Sequence, residues 1–281
     1  NQLVRTLEEV LIGRFTNAAA LGIYGKAKAL ASAPTSPISS LINKVSFVSY
    51  AREQNVLPLV REGVHKSFEL MLAIALPFYL AILMTGDRIV LVLLGENWVG
   101  ITPYLQVLTL AATIEMLFVS LATPVFNAIG LPRIQFFLRG VAAVTVISGL
   151  TFLVPLYGIW GAAITSLLGS SVTALVTLYV LTTRLKLDIG RMASGSGIVA
   201  ISCLVPLILA GQLLKMTFFN TTGGYLTLLL LTGSMYSMLI ILLSILTKRG
   251  PYPTLHLILH SFMTTSTGRR VIRWLPRFGS K

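Results

Sequence analysis

Charge is what this chain has least of. Only 11% of its 281 residues are Asp, Glu, Lys or Arg, against about 25% in an ordinary soluble domain. With 55% hydrophobic residues, too little polar side chain is left to cover a water-exposed globule, so lipid must be the solvent for much of the surface. Cysteine is nearly absent as well. The one thiol, Cys203, excludes a disulfide framework and a thiolate metal site, and reads as a small hydrophobe inside an apolar run. His256 and His260 are four apart, a spacing that suits a metal pair on a helix, but no Glu follows His256 and the zinc-protease pattern is missing. They read as loop histidines, and no metal site is expected. No Gly-rich phosphate loop with a Lys, no serine elbow and no paired carboxylates at a soluble cleft appear. Neither an enzyme nor a cofactor is therefore expected.

What the chain does have is apolar runs of spanning length. They cover about residues 17–48, 67–85, 101–129, 134–157, 159–182, 196–214 and 224–246, seven in all. Residues 49–66 form a polar break. The short apolar stretch 89–94 cannot cross a bilayer and is expected at the interface, ahead of Gly95-Glu96-Asn97-Trp98 with Trp98 at headgroup level. Gly130-Leu131-Pro132-Arg133 and Asn220-Thr221-Thr222-Gly223-Gly224 carry turn chemistry. Continuous runs favour helices, which satisfy their own backbone polar groups in lipid; a transmembrane barrel strand would alternate over about ten residues. The expected fold class is all-α, a polytopic transmembrane helix bundle. Residues 1–15 look like a helix entered midway, since fifteen residues cover roughly 22 Å of a hydrocarbon core about 30 Å thick. With Arg5, Glu8 and Glu9 in it this segment is no signal peptide. The chain is expected to be the C-terminal part of a longer protein.

Basic residues collect in alternate breaks: Arg52, Arg61 and Lys66, then Arg133 and Arg139, then Arg184, Lys186 and Arg191, then the tail with Lys248, Arg249, Arg269, Arg270, Arg273, Arg277 and Lys281. The opposite breaks offer only Arg88 and Lys215, with Arg14 near that side. This asymmetry places the first set and the C-terminus in the cytoplasm of a multi-pass inner-membrane protein. It also accounts for most of the net charge of +13. No nucleic-acid partner is implied, because basic residues spread over alternate loops make no single groove. The tail, 247–281, is short and basic, with Trp274 and Phe278 near its end, and suits anionic membrane lipids.

Polar residues inside spans are costly and so informative, roughly 2.5–3.5 kcal/mol for a charge at a helix centre. Lys28, Ser32, Thr35, Ser39, Asn43 and Ser46 recur at spacings of three and four and form one stripe on the 17–48 helix. Lys26 lies near its outer end and Lys44 near its inner end. Two readings stand open. Lys26 and Lys28 face a wet cavity and meet an anionic group such as a pyrophosphate, with the hydroxyls and Asn43 lining the same path; or they snorkel to headgroups while the serines pack between helices. Pro34 and Pro37 each remove an N–H, and a kink is expected one turn back, near Leu30 and Ala33. On the first helix Arg5, Glu8 and Glu9 have the spacing of an internal ion pair. Glu115 is a lone acid deep in a later span, either a proton- or Na⁺-linked switch or the structural partner of another helix.

Four ordered segments carry a family resemblance. Glu8-Glu9-Val10-Leu11-Ile12-Gly13-Arg14-Phe15 followed by Ala20-Leu21-Gly22-Ile23-Tyr24 resembles the "LIGRF…ALGxY" pattern of polysaccharide flippases. Leu93-Leu94-Gly95-Glu96-Asn97-Trp98 with Pro103-Tyr104-Leu105-Gln106 resembles their "LLGExW…PxLQ". Ala128-Ile129-Gly130-Leu131-Pro132 and Tyr157-Gly158-Ile159-Trp160-Gly161-Ala162-Ala163 are similar to their "GxP" and "YGxxGAA" marks. The resemblance is to lipopolysaccharide and capsule repeat-unit exporters of the multidrug/oligosaccharidyl-lipid/polysaccharide superfamily. It implies a MATE-like C-terminal six-helix lobe over 1–182, two additional helices over 183–246 and the basic tail over 247–281, with an N-terminal lobe of the parent chain as partner. It further implies alternating access by an undecaprenyl-pyrophosphate-linked oligosaccharide through a cationic cavity. Arg14 joins the stripe as a candidate cavity residue on this ground, and Glu8, where the family commonly has Asp, joins Glu115 as a candidate coupling-ion residue. The rival expectation is a cation-coupled small-molecule exporter of the same superfamily, which the excess of Lys and Arg disfavours.

Overall fold

A computed structural model describes residues 2–40, 57–128, 130–188, 190, 234–236 and 238. Among these residues every regular element is helical and no strand occurs. The spans expected at 196–214 and 224–246 fall, apart from the four residues just named, outside the described residues. So do Asn43, Lys44, Ser46, Cys203, His256, His260 and the tail.

Helix α1, Gln2–Phe15, ends at Thr16, whose hydroxyl turns back to the Ile12 carbonyl at 2.6 Å. Asn17 then caps α2, Ala18–Ser32: its backbone is extended (φ −142°, ψ 171°) and its Oδ1 accepts the Ala20 N–H at 2.8 Å. An Asn cap satisfies one of the four N–H groups that a helix start leaves orphaned. The helical ladder breaks at 33–34 and resumes as α3 over 35–40. The cause is Pro34, which brings no N–H; the Ala33 N–H closes a tighter turn onto Leu30 O (3.3 Å), and the ladder restarts with Ile38 N–H to Pro34 O (3.4 Å). The interruption falls where the prolines placed it.

Helix α4 covers Leu57–Leu94 as two helical pieces joined at a kink at Thr85 (φ −127°, ψ 24°). This corrects one expectation: the polar break at 49–66 is helical from Leu57 onward. The apolar stretch 89–94 ends the short piece after the kink. The early part is amphipathic: Val60, Val64 and Phe68 are buried four apart, while Glu62 and Lys66 pair across one turn at 3.5 Å. Gly95 (φ +91°) closes α4, and a 3₁₀ turn over Glu96–Ile101 leads into α5, Thr102–Ile114. A π-helical turn, Glu115–Ser120, joins α5 to α6, Leu121–Ala128. Helices α7, Pro132–Tyr157, and α8, Ile159–Leu185, follow.

Among the described residues four segments are long and apolar enough to cross a bilayer: Pro58–Leu94, Glu96–Asn127, Arg133–Tyr157 and Ile159–Leu185. The chain is a multi-pass membrane protein built as a helix bundle. Phe136, Phe152 and Leu156 of α7 are more than 70% exposed, which suits a face solvated by acyl chains.

The chain forms two compact units. One comprises 1–52 with 75–187, the other 53–74 with 188–281. Within the second, the Tyr236 hydroxyl donates to the Ala73 carbonyl. Within the first, α8 packs on α7 and α5, α2 on α5, and α1 on α7 and α2. Its core gathers Ile12, Tyr24, Ala27, Ile82, Leu105, Leu150, Val154 and Ala162. The α7–α8 seam depends on missing side chains. A Cβ on Gly161 would lie 2.1 Å from Leu153 O, one on Gly149 2.6 Å from Thr165 Cγ2, and one on Gly169 2.8 Å from Val146 Cγ2. In lipid, where apolar surface gains little by leaving its solvent, such close backbone approach is a principal source of helix association.

Candidate functional site

Lys28 and Tyr24 of α2 meet at Glu8 of α1. Along α2 the buried residues Ala20, Tyr24, Ala27 and Ala31 form one stripe, in which three alanines let neighbouring helices come close and Tyr24 reaches past them. Lys28, one turn after Tyr24, lies at the edge of this stripe. The Lys28 ammonium donates to both Glu8 oxygens, at 2.6 Å to Oε1 and 2.5 Å to Oε2. The Tyr24 hydroxyl donates to Oε1 as well. On its other side that hydroxyl lies 2.8 Å from Ser166 Oγ of α8. Lys28 Nζ also stands 5.5 Å from the centre of the Tyr24 ring, within cation–π range. One carboxylate thus ties α1 to α2 and, through Tyr24, to α8.

The pair is asymmetric. The Glu8 side chain is 6% exposed and that of Lys28 40%. Glu8 is fixed from within by Tyr24, whereas Lys28 has one side on the carboxylate and one side open. Such a pair cancels the charge of a carboxylate that would be costly to bury alone.

The other candidates are distributed as follows. Lys26 and Arg14 are exposed. Ser32 is exposed and its hydroxyl returns to the Lys28 carbonyl at 2.8 Å. Ser39 Oγ is buried without a hydrogen-bond partner among the described residues. Thr35, from the same stripe, meets the Tyr79 hydroxyl of α4 at 2.7 Å, and that hydroxyl reaches Met116 Sδ at 3.3 Å. Glu115 opens the π-helical turn and is exposed; it takes no part in the described Glu8 network. Of the candidate residues, then, Glu8 and Lys28 come together. The described partner of Glu8 lies on a neighbouring helix, not on its own. Tyr24 and Ser166 complete the cluster and were not singled out from the sequence. A signal existed for Tyr24, which is four residues before Lys28 and so on its face; Ser166 carries none, because it is one of many hydroxyls on α8. No group of three or more His, Cys, Asp or Glu suited to a metal occurs among the described residues.

The described residues thus form a multi-pass helical bundle in which a buried carboxylate is paired with a half-exposed ammonium. Comparison with known proteins narrows this. The family described as "Polysaccharide biosynthesis protein" matches residues 1–103. The chain is 27% identical over 117 residues to the teichuronic acid biosynthesis protein TuaB of Bacillus subtilis (strain 168), a match covering 42% of this chain and 24% of that protein. It is 27% identical over 108 residues to the lipopolysaccharide biosynthesis protein WzxC of Escherichia coli (strain K12), covering 38% of this chain and 22% of that protein. The matches thus span about a quarter of the length of these curated relatives. No solved structure matches. Over its first 103 residues the chain is similar to this polysaccharide biosynthesis family.

Proposed function

We propose that this chain is part of a non-enzymatic carrier that moves an undecaprenyl-pyrophosphate-linked oligosaccharide across a bacterial inner membrane by alternating access, for the synthesis of lipopolysaccharide, capsule or exopolysaccharide. The observation that carries the reading is Lys28: an ammonium in a spanning bundle, open on one side, on a helix whose ladder is interrupted five residues later at 33–34. An open cation is what a pyrophosphate requires, and a broken ladder is a place where a spanning helix bends. In this reading 1–182 is the second lobe of the carrier and 183–246 an added helix pair. A further lobe of the parent chain faces the stripe on α2, the C-terminus is cytoplasmic, and Arg14, Lys26, Ser32, Ser39 and Asn43 line the same path. The cation-coupled small-molecule exporter takes second place, since a cavity for cationic cargo is expected to be dominated by acids and this chain has 22 Lys and Arg against 9 Asp and Glu.

The test is complementation. In the natural gene product, Lys28→Ala or Arg14→Ala is expected to lower surface polysaccharide per molecule of protein in the membrane at least about tenfold, the scale of a lost charge-assisted contact. Normal surface polysaccharide with both variants would remove the cavity assignment.

A further inference from the structure

We propose that the hydrogen bond between Thr35 and Tyr79 is a release catch for α3: made, it holds the segment beyond the Pro34 break against α4; broken, it lets α3 pivot at 33–34. The catch goes beyond the proposed cargo, because its residues share no described hydrogen bond with the Glu8–Lys28 pair and it needs no ligand to work.

At the break the chain has lost what would fix its direction. Pro34 brings no N–H, and the turns around it are closed by long bonds, Ala33 N–H to Leu30 O at 3.3 Å and Ile38 N–H to Pro34 O at 3.4 Å. The direction of α3 is therefore set by what it meets on its neighbours. Ile38 is buried, and the hydroxyl of Thr35, the first residue of α3, lies 2.7 Å from the Tyr79 hydroxyl of α4. Tyr79 is fully buried and donates its own proton to Met116 Sδ, at 3.3 Å, in the π-helical turn. With that proton committed, the one between the two oxygens comes from Thr35, so Thr35 donates and Tyr79 accepts.

The bond can open because Thr35 has an alternative acceptor. Thr85, Thr109, Thr145, Thr165 and Thr177 each donate to the carbonyl one turn back in their own helix, at 2.6–2.9 Å. For Thr35 that carbonyl belongs to Ala31, on the α2 side of the break. Exchanging Tyr79 for Ala31 strands no donor: Thr35 keeps an acceptor and Tyr79 keeps Met116. In lipid no water replaces a lost partner, so a hydroxyl without an alternative would pin α3 in one place. Here both arrangements are satisfied, and they differ by which acceptor Thr35 uses. Release draws α3 toward the axis of α2 and carries Ser39 with it.

The experiment uses the natural gene product in lipid nanodiscs, its own cysteines replaced, with spin labels at Ser40→Cys of α3 and Leu175→Cys of α8. Both positions are exposed, and pulsed electron paramagnetic resonance reads the distance between them. A second pair, Gly22→Cys with Leu175→Cys, reports on α2 before the break. One distance is expected to dominate the first pair in wild type. Tyr79→Phe keeps the ring, removes the acceptor and leaves Ala31 available. It is expected to raise the ratio of a second distance to the first about threefold, the scale of one cross-helix hydrogen bond in a membrane, with the Gly22 pair unchanged. Thr35→Val deletes the donor from both arrangements, so it is expected to shift the ratio less, and Tyr79→Phe added to it is expected to shift it no further. Thr35→Ser, which keeps the hydroxyl, is expected to match wild type. Tyr79→para-fluorophenylalanine, which refills the space of the hydroxyl with a poor acceptor, serves if Tyr79→Phe does not fold. No shift with Tyr79→Phe, a shift of equal size in the Thr35→Val background, or equal broadening of both label pairs overturns the catch. None of these outcomes touches the complementation test of Lys28 and Arg14.

Discussion

Helix α8 contributes to two unlike kinds of contact, and the contrast between them is instructive. Toward α7 it offers absence: Gly161 and Gly169 leave room, on the other side Gly149 does the same, and a Cβ at any of the three would collide with the neighbour. The hydroxyls on this helix are satisfied within it. Thr165, Ser170, Ser171, Thr173 and Thr177 each donate to the carbonyl one turn back, at 2.7–2.9 Å. Toward α1 and α2 it offers a group instead. Ser166 reaches the Tyr24 hydroxyl and, through it, the Glu8–Lys28 pair. The first contact is shape alone and has one answer. The second is charge, between a buried carboxylate and an ammonium that is 40% exposed.

The largest expected effect tests the rigid side. In Gly161→Ala the new methyl meets the Leu153 carbonyl oxygen at 2.1 Å and its carbon at 2.5 Å. Backbone cannot step aside as a flexible side chain can, so a loss of at least about 3 kcal/mol is expected. Gly22→Ala is the control, because a Cβ there meets nothing within 4 Å, and it is expected to be neutral or to gain about 0.5–1 kcal/mol of helix propensity. Unfolding of the purified gene product in mixed detergent micelles measures both. Equal stability of the two variants would show that the seam is not close-packed.

Next comes the charged side. Lys28→Met strands a carboxylate that is 6% exposed. Removing one partner of a fully buried pair costs about 3–5 kcal/mol, and the 40% exposure of Lys28 brings the expectation down to about 2 kcal/mol. Adding Glu8→Gln to Lys28→Met is expected to restore at least half of that loss, since no unpaired charge then remains. A strictly additive double variant, in the same unfolding assay, would mean that the two residues do not interact in the membrane.

How legible these two sides were in the sequence follows from their chemistry. Hydropathy alone marks the four spanning segments, because lipid demands long apolar runs. It fails at 57–66, where Arg61, Glu62 and Lys66 interleave with buried Val60 and Val64; averaging along the chain erases an amphipathic helix that a face-by-face count retains. It separates 89–94 from the preceding run, and the backbone does leave helical geometry at Thr85, just before Gly86, Asp87 and Arg88. The Pro34 interruption is readable from one missing N–H. The pairing of Glu8 with Lys28 is not readable, because nothing local says which helix will present the cation to that acid. Arg5, three residues away, is as plausible a partner on spacing alone. Pairing across helices is settled by the packing of α1 on α2, which small residues such as Ala20 and Ala27 permit but do not specify.

The finest test separates two serines four residues apart on α8. Ser170 Oγ donates to Ser166 O at 2.9 Å, a carbonyl already engaged by the helix ladder, so Ser170→Ala is expected to cost nothing measurable. Ser166→Ala removes the group beside the Tyr24 hydroxyl and loosens the residue that holds Glu8. Cross-helix hydrogen bonds in membranes average about 0.6 kcal/mol, and that is the expected loss in unfolding. A loss no larger than that of Ser170→Ala would show that Ser166 does not bear on the Tyr24 hydroxyl.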